Sequence, residues 1–384
     1  MSLRRDRSFL ATGLAHFAVD LLNSQRPLLL AVQSVPLGLS NFAIGIISTL
    51  YSLSGALTQP LFGLLADRIG SRWVASIGVL WMVFCFCLAL TVPGYPGLIF
   101  LVAAALGSGA FHPAGTAEAT QRGRSYLSQM ETTATSLFFF FGQSGLFLGP
   151  LLGGPIIHRW GIAGLLVLPA FVAPVGLNLA AHLRPVTADE NNADPVAKMA
   201  EAPVIIPTRL WPFLLLITFR SWTQMTMIAF LPKYLSDLGY SPSIYGPIAG
   251  MFMGGSALAG VAGGWLADRY GKKIVTTWTL MLGVVPLLLF PMARSPVSFS
   301  ILSFLGGGLI GASHSIIVLL AQRRMPQRMG AASGLVLGFT FSAGAIGTLI
   351  SGVIADLYGF NSLFFLLAVL TLLAAAMSLA IEPE

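Results

Sequence analysis

Four groups that hydrocarbon rejects lie close together in the stretch LAHFAVDLLNSQRP (14–27): His16, Asp20, Asn23 and Arg26. On a helix His16, Asp20, Asn23 and Pro27 fall at i, i+4, i+7 and i+11 and share one stripe, with Arg26 on its shoulder. A carboxylate with an imidazole one turn below it is equipment for handling a proton, because a low-dielectric surround disfavours charge on either group. A proton can then load and leave as the surround changes. Two further histidines and an arginine, His112, His314 and Arg220, sit in comparably apolar runs. Gln143, Trp222, Gln224 and Tyr51 add hydrogen-bonding capacity without distinguishing chemistry.

The elements that must position these groups follow from composition. The chain has 384 residues, 55% hydrophobic and only 9% charged, with a mean hydropathy of +0.82; a soluble domain carries about 25% charged residues. There are too few charges for a polar skin, so the chain reads as an all-α protein that crosses a membrane repeatedly. Forty-two Gly and 23 Pro suit closely packed, locally broken membrane helices. The net charge of +7 is assigned to loops that orient the chain in the bilayer, and no nucleic-acid partner is expected. Cys85 and Cys87, two apart on one helix, read as small core residues with no disulfide. The basic start, MSLRRDR, leads into an apolar stretch without a small-residue cleavage pattern, so it reads as an uncleaved first span.

A spanning helix needs about 20 mostly apolar residues. That length places twelve of them near 8–32, 41–65, 73–92, 97–120, 131–156, 161–183, 209–235, 242–267, 274–292, 297–321, 329–354 and 359–381. The polar segment 184–208 reads as a cytoplasmic linker between an N-terminal six-helix bundle (1–183) and a C-terminal one (209–384). With the N-terminus inside, sixteen Lys and Arg fall on inner segments and three (Arg159, Lys233, Arg294) on outer ones, so both termini are expected in the cytoplasm. The halves repeat: FGLLADRIGSRWV (62–74) and GGWLADRYGKKIV (263–275) agree at seven of thirteen positions at an offset of 201, and GAFH (109–112) answers GASH (311–314) at 202. Parallel six-helix halves related by a pseudo-two-fold axis are the architecture of a rocking transporter.

At 1.5 Å per residue, Asp20 comes out about 18 Å from the inner end, Arg220 about 17 Å, and His16, His112 and His314 about 12 Å. The polar groups are thus expected near mid-membrane on spans one, four, seven and ten. An ionisable group at that depth costs roughly 3 kcal/mol or more and is functional by default. Asp20, tuned by His16 and with His112 nearby, is read as the binder of a coupling proton, and Arg220 as holding either Asp20 or an anionic substrate. A plainer reading is a permanent Asp20–Arg220 bridge between the halves. Substrate contacts are expected from Asn23, Arg26, His112, Gln143, Arg220, Trp222, Gln224 and His314, although His112 and His314 also suit hydrogen-bonded packing. Glu118 and Glu131, near cytoplasmic helix ends, read as solvated or loop-paired, with a proton relay as the alternative.

Two motifs concern motion. In the repeated loop, Gly63 and Gly264 would let helices approach, Asp67 and Asp268 would cap or pair with a neighbouring helix end, and Arg68 and Arg269 would anchor the turn. The loop serves either as a sidedness anchor or as a gating latch. In GLFLGPLLGG (145–154), Pro150 removes a backbone donor, and Gly145, Gly149, Gly153 and Gly154 would form a flat packing face.

The paired loop motif resembles the signature of the major facilitator superfamily, and the Gly-Pro-glycine segment resembles its antiporter motif. AHFAVD (15–20), GSGAFHPAGTAEA (107–119), GQSGLFLGPLLGG (142–154) and the segment 319–348 are similar to the fosmidomycin-resistance branch. The resemblance implies the twelve-helix fold of that superfamily, in a bacterial inner membrane, exporting small drug-like or phosphonate compounds against protons, and it points to His16, Asp20, Phe111, His112 and Pro113. Where the branch usually has an acidic residue and an arginine after Phe-His-Pro, this chain has Ala114 and Ala117.

The expectation is therefore a proton-coupled antiporter of a small polar or anionic compound, working by alternating access as a monomer. Its partners are substrate, protons and lipid, with no cofactor and no resident metal. Alternatives are an importer of organic anions, a metal or metal-chelate carrier built on His16, Asp20, His112 and His314, and a sensor or scaffold on a transporter fold. His-Glu-x-x-His, nucleophile-elbow and phosphate-loop patterns are absent, so an enzyme is not expected.

Overall fold

The computed structural model describes residues 6–126, 131–183, 210–324 and 329–381; the linker read at 184–208 and Glu131's side chain lie outside the described parts. Span one is Arg7–Asn23 continued by Arg26–Ser34. Spans two to six are Asn41–Ile69, Ser71–Thr91, Tyr95–Tyr126, Glu131–Trp160 and Val167–His182. Spans seven to nine are Trp211–Asp237, Pro242–Tyr270 and Lys272–Leu289, and span ten is Pro296–Gly311 with Ser313–Arg324. Spans eleven and twelve form the run Met329–Leu379, interrupted at Gly359 (φ 77°).

By length and apolarity, ten described helices can cross a membrane. One of them, Leu335–Leu379, has 45 residues, enough for two crossings at about 20 each. Span one is missed by that measure because its pieces have 17 and 9 residues. Resolving both gives the twelve crossings expected.

Span one breaks because Pro27 has no N–H for the Asn23 carbonyl. At the break, the Ser24 hydroxyl and the Gln25 amide both donate to the Leu21 carbonyl, each at 2.9 Å. The glycines of span five hold this break in close contact. A Cβ added at Gly145 would lie 2.9 Å from the Leu21 nitrogen, one at Gly149 2.9 Å from the Leu21 oxygen, and one at Gly153 3.0 Å from the Gln25 amide carbon. Gly154 departs from the expected common face. Rotated about 100° from its neighbour on the helix, it points to span eight, where its Cβ would lie 2.9 Å from the Gly246 Cα.

Among the described residues, the close glycine contacts between the halves lie at one end. Away from the basic loops, Gly45 and Gly352 bring spans two and eleven together, and Gly154, Gly246 and Gly250 bring spans five and eight together. Toward the basic loops on the same helices, Gly260 and Gly338 have nothing within 4 Å of an added Cβ. Among the described residues, these two helix pairs therefore stand apart at the basic end. Gly63 and Gly264 do not serve the close approach expected of them: an added Cβ would sit 3.7 Å from Pro113 and 3.9 Å from Ser315, ordinary contact distances. In span eight the tight position is the adjacent Gly263, 2.8 Å from the Ala312 carbonyl.

These contacts separate glycines that tolerate a side chain from those that do not. Gly149→Val should destabilise the protein by about 1–3 kcal/mol through overpacking, read as a lower unfolding temperature in detergent. Gly63→Ala should leave that temperature unchanged.

Candidate functional site

The polar stripe of span one turns into the N-terminal half, where spans four and five close over it. His16 is 2% exposed and Asp20 7%. The carboxylate is held from three directions: Asn23 donates to Oδ1 at 2.8 Å, His16 Nε2 lies 3.3 Å from Oδ2, and His112 Nε2 lies 3.6 Å from Oδ1. Span five comes near because Gly142 carries no side chain; a Cβ there would lie 2.7 Å from Asp20 Oδ2 and strike the His16 ring. That ring stacks on Phe138 with centroids 4.0 Å apart.

The backbone fixes both imidazoles. His16 Nδ1 lies 2.7 Å from the Phe138 carbonyl and His112 Nδ1 lies 2.8 Å from the Ser108 carbonyl. A carbonyl only accepts, so each Nδ1 bears a hydrogen and each neutral ring presents the bare lone pair of Nε2 to Asp20. Lone pairs facing a carboxylate repel unless a cation stands between them. That cation is a proton on a ring or carboxyl, or a metal ion: one ligand atom from each of His16, Asp20 and His112 lies within 4.8 Å of the others. His112 is the most exposed of the three, its side chain 24% exposed against 10% for Asp20 and 3% for His16.

A polar chain extends the cluster. Asn23 also donates to the Ser108 hydroxyl at 3.0 Å and accepts from the Tyr51 hydroxyl at 2.5 Å. Beyond it lies Arg26, stacked 4.8 Å from the Tyr51 ring centre and donating to Ser52 at 3.2 Å; its Nε is buried without a partner.

The second cluster stays in the C-terminal half. Arg220, 2% exposed, donates to the Ile310 carbonyl at 3.3 Å and to His314 Nδ1 at 3.4 Å, leaving Nη2 buried and unpartnered. Among the described residues no carboxylate pairs with it. The expected Asp20–Arg220 bridge is absent in this conformation because the carboxylate is taken up by its own half. For the same reason the four-ligand metal set does not form: His314 belongs to Arg220. Gln143 and Gln224 each keep a buried, unpartnered Oε1, while the Trp222 N–H is committed to Ser351 at 2.8 Å. That bond makes Trp222 a link between spans seven and eleven.

The loop carboxylates Asp67 and Asp268 are exposed, as are Arg68 and Arg269, and among the described residues they form no ion pair. The pairing expected of them needs the basic ends to close, and here those ends stand apart. Glu118 is not solvated. It is 1% exposed and bound by Arg122 at 2.8 Å, and Arg122 also reaches Asp6 at 3.7 Å. This network ties span four to the start of span one, where Asp6 caps the helix through the Phe9 N–H at 2.9 Å.

Sequence reasoning missed Ser108, Phe138 and Gly142 as parts of the site. Ser108 stands one turn before His112, a spacing open to reading. The Phe138 contribution is a backbone carbonyl, which no residue type announces.

The sequence profile of the Major Facilitator Superfamily matches residues 8–336 and 213–384. The chain belongs to that superfamily. It is 30% identical over 382 residues to the "Fosmidomycin resistance protein" of Escherichia coli (strain K12), covering 94% of this chain and 90% of that one. It is also 30% identical over 355 residues to "Multidrug resistance protein MdtG" of Enterobacter lignolyticus (strain SCF1), covering 87% and 81%. The fold matches a bacterial homologue of the human lysosomal transporter Spinster with a TM-score of 0.81 at 14% identity, over 99% of this chain and 97% of that one. The protein is thus an integral membrane transporter with efflux-type relatives, and not an enzyme.

Because Asn23 serves three partners at once, Asn23→Leu should remove a hydrogen bond from Asp20, Ser108 and Tyr51 together. A loss of about 2 kcal/mol or more is expected, measured by thermal unfolding of the purified protein in detergent.

Proposed function

We propose that this transporter exports a small polar, anionic compound in exchange for protons, by alternating access, as a monomer with both termini in the cytoplasm of a bacterial inner membrane. The proton gradient is the driving force and no cofactor takes part. The observation that carries the reading is the pair of imidazoles whose backbone bonds turn both Nε2 lone pairs onto Asp20. Such a cluster is neutral and comfortable only with a proton inside it. His112, the most exposed member, is the route by which that proton enters and leaves.

Anion preference rests on the two arginines. Among the described residues Arg26 and Arg220 are buried without a carboxylate partner, and each leaves a guanidinium nitrogen unsatisfied. An uncompensated buried cation is expensive, and a carboxylate or phosphonate would satisfy it with charge-assisted hydrogen bonds. The export direction rests on the drug-resistance proteins among the relatives and on the glycine-lined span five. With the basic loops inside, the conformation described here faces the cytoplasm, the side from which an exporter loads.

Fosmidomycin, a phosphonate, is the probe of choice. In inverted vesicles, Asp20→Asn should reduce accumulation driven by a pH gradient at least tenfold, while a thermal shift on adding fosmidomycin persists. Full proton-driven accumulation in that variant would overturn the carrier role. A chelator such as EDTA should have no effect; loss of transport on chelation would favour the metal reading of the same three ligands. Arg220→Gln should weaken fosmidomycin binding about tenfold to a hundredfold, the worth of a hydrogen bond to a charged group. Unchanged affinity would remove the arginine from the substrate's path.

A further inference from the structure

The gating-loop signature occurs a third time, on the opposite side of the molecule. GLLADRIG (63–70) and GWLADRYG (264–271) are followed by GVIADLYG (352–359), with the pattern Gly-x-x-Ala-Asp-x-x-Gly kept in full. Each closing glycine has a positive φ, 94° at Gly70, 94° at Gly271 and 77° at Gly359, so all three end a helix in the same kind of turn. The fourth helix junction of this type, GPIIHRWG (154–161), also ends on a positive-φ glycine (Gly161, 68°) but has His158 where the others have Asp.

Among the described residues the two basic-end carboxylates form no ion pair in this conformation, and the third carboxylate is engaged. Asp356 of span eleven accepts from the Asn41 N–H through Oδ1 and from the Phe42 N–H through Oδ2, both at 2.8 Å. These are two of the orphan donors at the start of span two, in the other half of the molecule. Ser40 satisfies the next, accepting from the Ala43 N–H at 3.1 Å. A carboxylate at a helix N-terminus also meets the positive end of the helix dipole. Below this cap the two helices run together: Gly352 lies against Phe42, Gly45 lies against Thr348 and Leu349, and Thr49 donates to the Ala345 carbonyl at 2.7 Å.

We infer that Asp356 is a latch that holds the end remote from the basic loops shut by capping span two across the interface between the halves. The closure is one-sided. The matching seam between spans five and eight is glycine packing, and there His158 stands where the latch carboxylate would be. Opening toward that end therefore requires release of the span-two cap. The inference rests on the alternating-access part of the reading above and not on proton coupling.

The test needs neither substrate nor gradient, so its outcome is separate from that of Asp20→Asn. Ser48, 2% exposed on span two, is replaced by Cys in a background with Cys85→Ala and Cys87→Ala, and its labelling by a charged maleimide is timed in detergent. Asp356→Ala should speed labelling at least fivefold, and Asp356→Asn, which keeps an accepting oxygen, should speed it less. Asp237→Ala, removing a carboxylate that pairs with Lys233 on its own helix, should change nothing. Gly352→Val, which wedges spans two and eleven apart, should also speed labelling. If Gly352→Val opens the seam while Asp356→Ala leaves the rate unchanged, packing alone closes it and the latch is wrong.

Discussion

A carboxylate enclosed by two imidazoles that present only lone pairs to it is the constraint on which this molecule depends. Asp20, His16 and His112 cannot share their space without a positive charge among them. Everything near the cluster enforces that condition: the Phe138 and Ser108 carbonyls fix the ring tautomers, Asn23 fixes the carboxylate, and Gly142 allows span five to seal the site. If the rings were free to turn, either could donate from its own N–H and the need for an added proton would vanish. The backbone bonds are therefore as important to the chemistry as the titrating groups.

The glycines act on a larger scale. Close helix contact in a bilayer depends on van der Waals packing, because lipid is as apolar as leucine. Gly145, Gly149 and Gly153 hold the break of span one at fixed distance from span five and so set the height of Asp20 relative to the wall it faces. Gly154 belongs to a different surface, the seam with span eight. One motif thus joins the helix that carries Asp20 to the seam between the halves, through adjacent residues about 100° apart on the helix.

Much of this was legible in the sequence. The repeated loop, the spacing of His16, Asp20 and Asn23, and the depth of His112 suffice to give twelve spans and the core of the site, because helical period and hydrocarbon thickness are strict rulers. Three things were not legible. The polar groups gather into two clusters, one per half, because the choice of partner for Asp20 depends on how far the halves stand apart, which no spacing encodes. Gly63 looked like a close-packing residue, yet an added Cβ there would meet Pro113 only at an ordinary contact distance of 3.7 Å. Asp356 carried a readable signal, the third Gly-x-x-Ala-Asp pattern, but its partners are two backbone N–H groups 315 and 314 residues away.

The two charged clusters also differ in the order of their making. Asp20 leaves the ribosome with His16 and Asn23 already on the same helix, within a turn on either side, so span one carries much of its own shielding into the bilayer. Arg220 has no such company: His314, its side-chain partner, lies 94 residues further on. During biogenesis the seventh crossing must hold a naked guanidinium until the tenth emerges. The second half of the chain is accordingly the part whose insertion leans on what has already been assembled.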